Sequence, residues 1–89
     1  MKDCPLVKID WEDSRQPTSN WSWLSEFKPN KVVECSSVGW LIHNGEDIKV
    51  LTPNFGDLEN EKDLQISGSI EIPASCIVKI TNLTETVTA

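Results

Sequence analysis

Apolar and polar side chains alternate near the start of the chain: Val7, Ile9 and Trp11 share one parity, and Lys8, Asp10 and Glu12 the other. A period of two predicts a strand over 6–12 with one buried face. Residues 13–20 (Asp-Ser-Arg-Gln-Pro-Thr-Ser-Asn) are turn formers that end it. Residues 21–27 (Trp-Ser-Trp-Leu-Ser-Glu-Phe) are aromatic and apolar but short. They read as a structured loop, either one helical turn or an extended arm. The longest β-rich run covers 31–43. Its two parities, Val33/Cys35/Ser37/Gly39/Leu41 and Val32/Glu34/Val38/Trp40/Ile42, are both mixed, which predicts a bulge or bend near Ser36, Ser37 or Gly39. Asn44-Gly45 is a hairpin signal, since both residues tolerate positive φ. Residues 48–51 return as the partner strand, which Pro53 ends because it has no N–H for a ladder.

Residues 54–63 read as an acidic loop carrying Asp57, Glu59, Glu61 and Asp63. A further strand is predicted over 65–72, with Ile66, Gly68, Ile70 and Ile72 on one face. Pro73-Ala74-Ser75 fits one 3₁₀ turn. The last strand runs over 76–83, with Cys76, Val78 and Ile80 facing in and Lys79 and Thr81 out. The tail from Thr84 is polar and expected to be mobile. Five strands, a long first loop, a central hairpin and a one-turn link before the last strand describe an all-β, five-stranded SH3-like small barrel. The barrel would span about 6–83 of a single domain covering 1–89, with Gly39 and Gly68 as bend sites. A sandwich would need about seven strands and ~100 residues. An OB-fold would place a helix where 56–64 holds too few apolar residues.

Composition narrows the setting. Eighty-nine residues allow one thin core. No stretch approaches the ~18 apolar residues of a spanning helix, so no membrane partner is expected. The start lacks a secretory h-region, and the three cysteines form no C-x-x-C, which together predict a reducing cytoplasm and neither a disulfide framework nor a zinc cluster. The net charge of −6 argues against a grip on long nucleic acid.

Catalytic chemistry finds little support. His43 is the only histidine, and Cys35 lies eight positions earlier on the same predicted strand, roughly 26 Å away at ~3.3 Å per residue. The acidic run 57–63 lacks the glycine and terminal glutamate of an EF-hand and reads as a solvated loop. No catalytic residue, metal ligand or cofactor is assigned. The four tryptophans are more informative, because one thin core cannot enclose them all. Trp11 and Trp40 are expected to serve the barrel. Trp21 and Trp23 are either a hydrophobic lid over its mouth or a surface for stacking a base or packing a protein groove. Arg15, Lys28 and Lys31 share that first loop. Were it to fold over the barrel, it would form a local basic pocket for a compact phosphate ligand.

The segments V-K-I-D-W-E-D-S (7–14), S-S-V-G-W-L-I (36–42), V-L-T-P-N (50–54) and I-E-I-P-A-S-C-I-V-K-I (70–80) resemble a class of short proteins encoded by tailed phages and prophages. The resemblance spans about 7–83. It implies a non-virion accessory protein working in the cytoplasm of an infected bacterium, and it carries no catalytic set. Such proteins often counter host defences, and two mechanisms suit a barrel without catalytic groups. One is sequestration of a small nucleotide signal, with Trp21, Trp23, Arg15, Ser14 and Trp40 as ligand-binding residues. The other is blockade of a host protein through the acidic run and the exposed indoles. A homo-oligomer is the expected state in the first case.

Overall fold

The computed structural model describes residues 3–86. Among them are seven strands: β1 (Leu6–Asp13), β2 (Val33–Asn44), β3 (Ile48–Thr52), β4 (Asn54–Gly56), β5 (Gln65–Ser67), β6 (Ile70–Pro73) and β7 (Ile77–Asn82). Two 3₁₀ turns, Leu24–Glu26 and Ala74–Cys76, complete the regular structure. Five strands form one antiparallel sheet in the order β6-β3-β2-β1-β7, and β4 and β5 form a two-stranded sheet of their own. The expected last link, a 3₁₀ turn after Pro73, is present. The polar tail is described only to residue 86; its last three residues, and the first two of the lead-in, lie outside the described residues.

The barrel does not close. β6 and β7 are the outer strands, yet only Ala74–Cys76 separates them. Laid flat, the outer strands of five would stand about 19 Å apart at about 4.8 Å per step. A three-residue 3₁₀ turn advances only about 6 Å. The sheet therefore curls until its edges approach at that end, but no β6–β7 ladder forms. One reason lies at Gly68, whose φ of 78° belongs to the left-handed region. The run 65–72, expected as one strand, breaks there: β5 turns away to pair with β4, and only four residues remain for β6. The expected loop 54–63 correspondingly begins as strand β4.

Register explains the core. Residues directly opposite one another in an antiparallel ladder share a face. Val7 pairs with Gly39, Ile9 with Ser37 and Trp11 with Cys35. The parity Val33/Cys35/Ser37/Gly39/Leu41 thus faces the core without a shift at 36–39. The register shift in β2 comes later, between Leu41 and His43. Ser37 is tolerated inside because its Oγ accepts the Trp11 indole N–H at 3.0 Å. Val7, Ile9, Leu41, Leu51 and Ile72 are buried, with Trp11, Ile70 and Ile77 packed against them. In β7 the expected parity fails at a second irregularity: Ile80 pairs with Ile9, but Trp11 pairs with Ile77, skipping Val78. That bulge turns Ile77 inward and leaves Val78 64% exposed.

Gly39 is a close-approach site rather than a bulge. A Cβ there would lie 2.9 Å from the Thr52 carbonyl oxygen and 3.3 Å from Leu51 Cβ, both on the neighbouring strand. Gly39→Ala should therefore lower stability by about 1–3 kcal/mol, read as a reduced urea midpoint at unchanged slope. A neutral result would show that β2 and β3 do not approach this closely.

Candidate functional site

The first loop supplies the candidate site. β1 ends and β2 begins on a directly paired couple, Asp13 and Val33, so residues 14–32 leave the sheet and return at one point as an arm. Every residue of the arm is exposed. Nothing in its sequence alternates at a strand period, and Pro17 and Pro29 remove two ladder donors, which leaves only the turn Leu24–Glu26 at its far end. Arg15 Nε donates to the Lys31 carbonyl and ties the two legs at the root. The chain accordingly measures 61 × 28 × 22 Å, with a radius of gyration of 17.9 Å. About 12 Å is usual for a compact chain of this length.

The lid reading of Trp21 and Trp23 is overturned, since they are 101% and 78% exposed. The arm does not fold back over the sheet to bring its cations to the indoles; it brings some of them together by itself. Trp21, Ser22 and Trp23 line one recess. A cleft of about 510 Å³ runs on from it, where these three are joined by Thr18, Asn20, Glu26, Phe27, Lys28 and Asn30. Arg15 and Lys31 line the next hollow toward the root, which shares Thr18, Phe27 and Asn30 with that cleft. Ser14 stays at the base of the arm, where its backbone N–H bonds the Asp13 carboxylate at 2.8 Å.

Trp40 stands apart from this group. It lies on the opposite face of the sheet from the core, paired with Thr52 and edge-on to Phe55, with ring centroids 5.4 Å apart. Its role is to seat the β4–β5 sheet. Thr52, fully buried beneath, assists: its Oγ1 is 3.1 Å from the Asn54 carbonyl and 3.4 Å from that of Ser67. The Trp40 indole N–H is buried without a partner.

Sequence reading missed a groove of about 550 Å³ beside the arm's root, whose lining includes Asp10, Trp11, Glu12, Glu34, Ser36 and Val78. Asp10 accepts a bond from Ser36 Oγ and lies 3.9 Å from Lys8 Nζ. Glu12 and Glu34 sit directly opposite each other on the β1–β2 ladder. The signal available was the polar parity of both strands, but their mutual register was not.

The remaining chemical candidates stay dispersed. Cys35 and His43 lie at opposite ends of β2, and Cys4, Cys35 and Cys76 are free thiols. Among the described residues no group of three or more His, Cys, Asp or Glu could hold a metal ion, and no helix is long and apolar enough to cross a membrane. Comparisons of the chain with protein-family models, curated proteins and solved structures find no match.

Proposed function

We propose that the chain is a non-catalytic binding protein that sequesters a small nucleotide on the far end of its arm. One observation carries this reading: two exposed indoles open onto a cleft that also holds Lys28 and several hydroxyl and amide groups. An indole offers a stacking face for a base, worth about 1–3 kcal/mol. The Lys28 ammonium suits a phosphate, while Glu26, Asn20 and Asn30 suit ribose hydroxyls and base edges.

The body in this reading is an SH3-like sheet, on the strength of its strand order and the 3₁₀ link before β7. The resemblance to short phage-encoded proteins supports a setting in a host bacterial cytoplasm and a role against nucleotide-based defence. A second reading, blockade of a host protein, draws on the strip Trp21, Trp23, Leu24 and Phe27, all exposed. Aromatic anchors of this kind dominate protein interfaces.

A thermal-shift panel of cyclic dinucleotides and ADP-ribose derivatives tests the choice. A ligand at ~100 times its dissociation constant adds about 2.7 kcal/mol, a rise on the order of 10–20 °C for a domain this small. Trp21→Ala/Trp23→Ala should abolish the rise without moving the unliganded Tm, because neither ring is buried. No shift across the panel, together with retention of a host protein on the wild-type chain but not on that variant, would establish blockade instead.

A further inference from the structure

We infer that this chain forms a two-fold dimer in which the basic arm root of each copy lies in the acidic groove of the other. The argument rests on charge and area, and is separate from the nucleotide reading.

Charge is divided between arm and body. The arm carries Arg15, Lys28 and Lys31 against Glu26 alone, a net of +2 on a chain whose total is −6, so the rest of the chain carries −8. Close to the root, Glu12 and Glu34 face each other directly across the ladder. Like charges so placed are destabilising. Among the described residues neither carboxylate has an ion-pair partner, and neither do Arg15 and Lys31. Arg15 Nε is instead spent on the Lys31 carbonyl. Both unpaired anions and both unpaired cations thus flank the same end of the sheet without meeting inside one chain. A two-fold axis beside the root brings each set to the other's counterpart, because in such an interface residue i meets j and j meets i. Apolar surface accompanies the charges: Val32 and Phe27 on the arm, and Val78 at the groove, are each about half exposed or more.

The surface area points the same way. The chain exposes 7697 Å². A folded monomer of 10.0 kDa is expected to expose about 5,200 Å². The excess is about 2,500 Å² per chain and comes from the projecting arm; covering about a third of it would supply the ~800 Å² per partner of a standard interface. A second copy seated at the arm root covers part of this excess. The indoles at the arm's far end remain free for ligand.

Sedimentation equilibrium of the full chain without nucleotide should show a dimer across the micromolar range, weakening as salt is raised. Glu12→Gln/Glu34→Gln removes the ladder repulsion and so would leave a monomer's association unchanged or improved. In the proposed dimer it strands Arg15 and Lys31 and weakens association by about tenfold or more. Charge exchange is the decisive arm. Arg15→Glu/Lys31→Glu and Glu12→Lys/Glu34→Lys chains should each be monomeric alone and form a one-to-one heterodimer when mixed. A monomeric wild type, an unweakened Gln variant, or mixed chains that stay apart would each overturn the proposal. Trp21→Ala/Trp23→Ala should leave the dimer intact, so failure of the nucleotide reading and failure of this one are distinguishable.

Discussion

Ile9→Ala should cost about 2–5 kcal/mol, enough to consume most of the stability of a chain this size. The expectation follows from how few residues share the burden. Among the described residues five apolar side chains are buried, and Ile9, at the crossing of the β2 and β7 ladders, is fully enclosed. Removing three carbons there opens a cavity bounded by strands whose register is pinned on both sides, so the site cannot collapse to refill it. Ile9→Val should cost about 0.5–1.5 kcal/mol, which separates cavity size from loss of fold. Val78→Ala, on the exposed bulge, should fall near ±0.5 kcal/mol. Urea melts of the three variants check this. A cost at Ile9 no greater than at Val78 would mean that the core lies elsewhere.

Excising the arm should have the second-largest effect, on binding rather than on folding. Asp13 and Val33 are direct ladder partners, so an Asn-Gly pair in place of residues 14–32 can close them as an ordinary two-residue hairpin. No buried side chain is lost with the arm. The shortened chain should keep its β far-UV signal and a cooperative melt, with a monomer radius of gyration near the ~11 Å of a compact chain of that length, against 17.9 Å for the intact one. It should bind no nucleotide and no second copy. Scattering and thermal melts decide the matter, and a shortened chain that fails to fold would show the arm to be structural.

How much of this was legible beforehand depended on the range of the signal. The strand at Val7, Ile9 and Trp11, the hairpin joining β2 to β3 and the turn after Pro73 are local patterns that read from a few neighbouring residues. The hairpin nevertheless turns over residues 45–47, and neither Asn44 nor Gly45 takes the positive φ that marked it. The errors lie where partners from distant parts of the chain decide. At Val78 a bulge set by the β1 register replaced the expected inward residue with Ile77. At Gly68 a left-handed residue allowed β5 to leave for β4, which took with it the length that closure required. The site was legible in part for the same reason. Trp21, Trp23, Arg15 and Ser14 belong to one arm because they are close in sequence. Trp40 shares only its residue type with them, and its place on β2 over Phe55 depends on β4, which the local sequence shows only as an acidic loop. The groove at Glu12 and Glu34 needed the register of two strands, which no single stretch of sequence displays.

An open sheet has two margins of unpaired main-chain groups, and these normally invite fibre growth. Here each is guarded. β6 ends in Pro73, which has no N–H to offer a newcomer, and it carries Glu71. On β7, the irregularity at Val78 distorts the hydrogen-bonding line and Lys79 adds charge to it. Concentrated solutions of this protein should consequently resist amyloid-like stacking even though its barrel never seals, and contact between copies is left to side chains that can let go again.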